Sequence, residues 1–594
     1  MKIGKQEIFI NFVQSIITKT QIMNQLYKLS LAVVLGGFSL QANAQRYLTE
    51  VFTDAQITIQ NDVQYGQNIS IQNTILGALS NPPQQVAPDT LPLLMDVYMP
   101  ALSADNVTER PLVVYASTGN FLPAGINGSP TGNRKDSSAV NMAKQFAKRG
   151  YVCAVVDYRL GWNPFSTDQI VRTGTILNAA YKGQQDTKAA VRYFRNDKAT
   201  TNNYMIDPTR VVLFGEGTGG YVMMAHAFLD QPWKIGRLPG LGDNKFLRTE
   251  APDSSVIDTN RVGNFDGTND IPMNLIPFVL SGGDFLKVTG NVANNPGYSS
   301  EANIVINMGG ALGDTSWLDA GQIPMIGIHA VRDPNAPYQI GDVIVPTTGD
   351  VVIPFASGAG FNLERANSYG NNSSFANRIY PDAITAAVEA RYGQTIPFAG
   401  STIAVGTGKG LLPFILPENA TYSLNHGSPW QFWNSAQATA NYPVTIAPGV
   451  TITTHQASAA SNPAMATSNE VGRSTALTYI DTVQRYINPR IVCALNLAEC
   501  DLFDGVGINE LNSSNSMVSA FPNPSNGNVT IRSNVGSGQL NSIHMFDVTG
   551  RQVVAQSGLN TASYQINRND LPSGIYLVQY VTENGRGTIK LIFE

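Results

Sequence analysis

Apolar residues gather along this chain in short runs, and the runs alternate with stretches of helical spacing. LPLLMDVYMP (91–100), PLVVYA (111–116), YVCAVVDY (151–158), RVVLF (210–214), NIVINMGG (303–310) and IPMIGIHA (323–330) read as strands. They are short and rich in β-branched, aromatic and aliphatic residues. Ser137–Arg149 carries an amphipathic helical pattern, a longer one runs from Ile170 to Asn196, and a third follows residue 217. Short, fully apolar strands alternating with helices predict an α/β fold: a mostly parallel sheet with helices on both faces.

The rest of this region is less regular. Residues 46–110 are otherwise polar and turn-rich. Two irregular, loop-rich insertions are expected at about 228–302 and 339–375, the first as a lid or cap. Further helices are expected at Tyr380–Tyr392 and Glu470–Tyr486. Residues 502–517 form a polar linker. Beyond it, NVTIRS, SIHMFDV, SYQIN, IYLVQYV and TIKLIFE alternate between turn residues, which predicts a small all-β sandwich over 518–594.

The chain has 594 residues, 43% hydrophobic and 14% charged, with net charge −5. That length fits one large domain and a smaller one, and the apolar content excludes a disordered chain. No basic stripe is present, so nucleic acid is not an expected partner. Residues 29–40, LSLAVVLGGFSL, follow Lys28 and precede QANAQ. This reads as a secretory signal starting at Met23 and cut after Ala44. The alternative is a membrane anchor, but the run is shorter than the ~20 residues that span a bilayer. No integral membrane segment is expected after signal removal.

Of three cysteines, Cys153 lies in a strand pattern and reads as a buried core thiol. Cys493 and Cys500 have the spacing of a local disulfide in an exported chain, or are two unrelated thiols. No Cys-x-x-Cys or paired-histidine spacing points to a metal, and no cofactor motif is present.

The C-terminal residues closely resemble the type A C-terminal sorting domain of the type IX secretion system of Bacteroidetes. FPNPSNGNVTI (521–531), MFDVTGRQV (545–553), LPSGIYLVQY (571–580) and the closing GTIKLIFE carry the resemblance. It implies recognition by the secretion translocon and sorting machinery, and a protein released or held at the cell surface. The alternative is an adhesive or carbohydrate-binding sandwich.

The large domain resembles secreted α/β-hydrolases of the carboxylesterase and polyester-hydrolase type. RPLVVYASTGNF, FAKRGYVCAVVDYRLGWNP, DTKAAVRYFR, VVLFGEGTGGYVMM and IPMIGIHAVRDPNAPY carry that resemblance. It implies a nucleophile elbow, G-x-S-x-G, in a strand-turn-helix. Here the frame is Gly215-Glu216-Gly217-Thr218-Gly219, so Gly217 holds the nucleophile position. Asp333 matches the acid, or simply caps a turn before Pro334. His426 is the favoured base and His455 the next candidate; His544 belongs to the C-terminal module. The oxyanion loop H-G-G-G-F of relatives is represented by Ser117, Thr118, Gly119, Asn120 and Phe121. Three functions remain open: a non-catalytic homologue binding an ester-like or glycan ligand or a partner, a hydrolase using Thr218 or Glu216 with Asp333 and His426, and a surface structural protein.

Overall fold

The computed structural model describes residues 46–594 except 79–83, 124–126, 128, 130, 165, 236–256, 275–287, 345–348, 399–400, 417–426, 434–441, 448–449, 455–469, 505–517, 535, 549–550, 570 and 584. The expected signal segment, His426, His455 and nearly all of the expected linker lie outside the described residues. The chain divides into two units, Met1–Asp501 and Leu502–Glu594.

The strands of the first unit are β1 (Ile57–Ser70), β2 (Asp89–Pro100), β3 (Arg110–Ala116), β4 (Val152–Val156), β5 (Ile206–Glu216), β6 (Ile271–Asn274), β7 (Thr289–Asn291), β8 (Ile304–Met308), β9 (Met325–Ala330), β10 (Ile340–Ile344), β11 (Val351–Ser357), β12 (Thr395–Phe398), β13 (Ser401–Ala404), β14 (Leu411–Phe414), β15 (Tyr442–Ala447) and β16 (Val450–Thr454). Its helices are α1 (Gln72–Ala78), α2 (Ser137–Lys148), α3 (Gln169–Ala199), α4 (Thr218–Phe228), α5 (Thr259–Val262), α6 (Ala359–Ser368), α7 (Ser373–Ala376), α8 (Ala383–Glu389) and α9 (Glu470–Ala494).

Eight strands form one sheet in the order β1-β2-β4-β3-β5-β8-β9-β14. From β4 to β14 every neighbouring pair is parallel, and β1 and β2 extend that block antiparallel. Alternate residues face opposite sides. Val211 and Leu213 join a core with Phe194 of α3 and Val222 of α4. One residue out of phase, Tyr115 and Phe214 stack at 4.8 Å, and Phe214 meets Phe146 of α2 edge-on. The sheet is therefore covered on both faces.

The insertions differ from expectation. In the first, Tyr181, Gln185, Lys188 and Arg192 of α3 bind the backbone of residues 262–266 and of Asn294. These side chains run from the middle of α3 towards its C-terminal end, so the described part of this insertion lies along α3. The second insertion is not irregular. It holds the β10–β11 hairpin and α6, whose Ala359 and Leu363 pack on Gly327 of β9. The hairpin leaves the crown after β9 and reaches the N-terminal turns of α3. There Thr173 bonds Val352 O, and Arg172 donates to Val351 O at 3.5 Å.

The second unit is all β, with β17 (Val518–Phe521), β18 (Val529–Ser533), β19 (Leu540–Asp547), β20 (Gln552–Thr561), β21 (Ser563–Ile566), β22 (Gly574–Thr582) and β23 (Gly585–Phe593). They make antiparallel sheets of order β17-β18-β21 and β20-β19-β22-β23. Ile531, Leu540, Ile543, Met545, Val578 and Leu591 share its core.

Candidate functional site

β5 runs directly into α4 through one residue, Gly217, at φ 54° and ψ −118°. Three neighbouring glycines are imposed by packing. A Cβ on Gly215 would lie 2.6 Å from Gly220 Cα, and one on Gly219 would lie 2.8 Å from Ser117 O. One on Gly220 would overlap Asn307 Oδ1. The Gly217 N–H donates to Met308 O at 2.8 Å, which fixes the turn against β8. The sharp strand-turn-helix geometry of an elbow is thus intact.

Gly217 itself is different. Its positive φ favours glycine, but the space beside it is also taken. A Cβ there would overlap the Thr118 hydroxyl and sit 2.8 Å from Thr118 Cβ. The side chain of the 117–121 loop fills the volume that a nucleophile's side chain needs.

That loop is strained and pinned. Asn120 and Phe121 both have φ 54°, a conformation rare for a bulky side chain. Trp162 Nε1 donates to Asn120 O at 2.8 Å, Asn120 Nδ2 to Asn127 O at 2.7 Å, and Gly161 N to Phe121 O at 2.8 Å. Tyr158 is buried, and its hydroxyl donates to Ser117 O at 2.9 Å and lies 3.2 Å from Thr218 Oγ1. Gly119 packs on the backbone of Gly132.

Glu216 faces inward. Its carboxylate accepts from Tyr115 OH at 2.5 Å, Trp430 Nε1 at 2.9 Å, Gln431 Nε2 at 3.0 Å and Ser138 Oγ at 3.3 Å. Burial pushes its pKa up, and the four donors pull it down. Its lone pairs are committed to holding the 430–431 segment and α2 to the elbow. Nearby Asp136 is a second buried carboxyl. It accepts from Gly132 N at 2.6 Å and Asn133 N at 3.0 Å, and burial pushes it up to about 8.

Asp333 lies just beyond β9. Its Oδ1 accepts from Asn335 N at 2.7 Å and Ala336 N at 3.1 Å, so it does cap a turn. Its Oδ2 lies 3.3 Å from His329 Nε2. His329 is fully buried in β9, and among the described residues its Nδ1 has no hydrogen-bond partner. The sequence reading passed over this histidine, although its i,i+4 spacing to Asp333 was visible. Gly427, the residue after His426, packs on the Asp333 carboxylate: a Cβ there would lie 2.7 Å from Oδ1. Gly427 O also lies beside Gly309, which follows β8. Residue 427 therefore sits between Asp333 and Gly309, at the end of β8. Trp430 and Gln431, also unforeseen, anchor this segment to Glu216. His544 lies in the second unit, paired with Gln552 at 2.8 Å.

Cys493 and Cys500 form a disulfide at the end of α9, with Cα atoms 4.6 Å apart, and Cys153 is a buried free thiol. Among the described residues no cluster of three His, Cys, Asp or Glu side chains is placed to hold a metal ion, and no helix is long and apolar enough to cross a membrane.

A family model described as BD-FAE matches residues 95–237. That span includes the 117–121 loop and the elbow and ends before Asp333. A second, described as a secretion system C-terminal sorting domain, matches residues 519–594. No curated protein matches the chain. Among solved structures the chain is similar to a thermophilic esterase of the Planctomycetes species Thermogutta terrifontis. Its butyrate-bound form matches at 16% identity and a TM-score of 0.23, over 42% of this chain and 70% of that one. The form phosphorylated by paraoxon matches at 18% and 0.23, over 42% and 69%. The large unit has an esterase-like α/β-hydrolase fold. The sorting domain marks the protein for export, to the cell surface or the medium.

Proposed function

We propose that this is an exported α/β-hydrolase-fold protein that has lost serine-hydrolase catalysis and acts by binding, with the type IX machinery as its route out. The observation that carries the reading is Thr118 seated where a side chain on residue 217 would stand. Removing the serine from a comparable triad costs about 10⁶ in rate, roughly 8 kcal/mol of barrier. Thr118 goes further, because it closes the space and not only removes the nucleophile. Asp333 and His426 are then remnants of the acid and base.

The hydrolytic alternatives have less support. The Thr218 hydroxyl is engaged with Tyr158, and the Glu216 carboxylate is saturated by four donors. A purely structural surface role remains the other reading. A panel of p-nitrophenyl esters, run on the purified large unit beside Thr218→Ala and Glu216→Gln, tests the proposal. No turnover above buffer is expected. Wild-type turnover that disappears in either variant would restore the hydrolase reading.

A further inference from the structure

The free edge of the sheet holds a groove of about 340 Å³ that shares no residue with the elbow, the 117–121 loop or Asp333. Its floor is β14, the edge strand, with Leu412 and Phe414. One wall is α8, with Ile384 and Val388. The other is α9, where the Tyr479 ring meets Phe414 edge-on at 5.2 Å. Among the described residues the lining contains no carboxylate and a single cation, the exposed Arg391. Neighbouring charges are already matched, Lys409 with Glu389 and Arg485 with Asp481. Among the described residues the Arg391 guanidinium has no ion pair and no side-chain hydrogen bond.

An apolar trough with one unmatched guanidinium is complementary to an amphiphile carrying one negative charge. Arg presents a planar fork of donors suited to a carboxylate. At about 30 Å³ per water-sized group, the volume accepts roughly ten non-hydrogen atoms. It falls at the small end of ligand pockets. We propose that this groove binds an organic monocarboxylate with an apolar body of about ten non-hydrogen atoms, its carboxylate on Arg391 and its body between α8 and α9.

The proposal does not rest on the reading of the elbow. A working elbow would leave it untouched, and an empty groove would leave the elbow as described. Isothermal titration of the full chain with octanoate and with octan-1-ol tests the proposal. Octanoate should bind saturably at one site, at least about tenfold tighter than the alcohol. Arg391→Gln should bring the acid down to the alcohol's level. Ala387→Trp, on one wall, and Thr482→Trp, on the other, should each abolish binding, and either one suffices if its partner variant does not fold. Circular dichroism identifies the folded variants. Absence of saturable octanoate binding, equal affinity for acid and alcohol, or undiminished binding in a folded tryptophan variant would each overturn the proposal.

Discussion

Gly217 and Thr118 are complementary in volume: one residue has no side chain, and the other projects its side chain into that space. In the resemblance to active hydrolases both positions are changed, serine to glycine at 217 and glycine to threonine at 118. Gly217→Ser alone therefore meets two obstacles, a positive φ and the Thr118 hydroxyl. It should be destabilising, and no ester hydrolysis should appear. Thr118→Gly should relieve part of that cost. A double-mutant cycle on urea unfolding should return a favourable coupling of about 1–3 kcal/mol; additive effects would mean that the two side chains do not compete. Glu216→Ala should cost at least about 3 kcal/mol, because it strands the Tyr115, Trp430 and Gln431 donors in the interior. A surface-like effect within 0.5 kcal/mol, of the order seen at exposed sites, would contradict its clamping role. Asp136 gives a pH signature. Burial raises it to about 8 in the folded chain, against about 3.9 for an unfolded aspartate. The folded state keeps a proton that the unfolded state has released. This contribution is full below about pH 4 and is lost as pH rises towards 8. The stability of wild type relative to Asp136→Asn should fall across that window; a flat or rising difference would place the charged form in the fold.

At the level of elements, the sequence showed the strands that are buried on both faces and missed those at the edges. β3, β4, β5, β8 and β9 are near-continuous apolar runs, which is what burial on both faces requires. β1 was read as polar and turn-rich because it is an edge strand, paired only with β2 and half exposed along most of its length. β14 is short and contains Pro413, which a strand tolerates at a sheet edge. α9 was expected to stop at Tyr486, but it continues through Pro489 to Ala494. Asn488 Nδ2 donates to Gln484 O and Arg490 Nη1 to Tyr486 O, both at 2.7 Å, so side chains support the turn that the proline weakens. The strand-turn-helix at Gly217 and the turn capped by Asp333 were legible because their patterns are local. Thr118 as a plug was not, because the contact joins residues 99 positions apart. The same helix end carries Cys493–Cys500. Closing so short a loop contributes about 2–3 kcal/mol. Denaturant unfolding with and without reductant should show that loss, and an unchanged midpoint would argue against the bridge.

At the scale of the whole molecule, an export module accompanies an α/β-hydrolase fold with a sharp strand-turn-helix at Gly217, which on the proposed reading carries no nucleophile. Glycine at 215, 219 and 220 is explained by packing, since a Cβ at 215 or 219 would meet backbone atoms and one at 220 would meet the Asn307 side chain. On the proposed reading the turn persists as architecture without its chemistry. The most direct test is exposure of the purified large unit to a fluorophosphonate, followed by intact mass measurement. The account predicts no covalent adduct for the wild-type protein under conditions that label an active serine esterase completely. A stoichiometric adduct on the wild-type chain, mapped to Thr218 or to any serine, would contradict it.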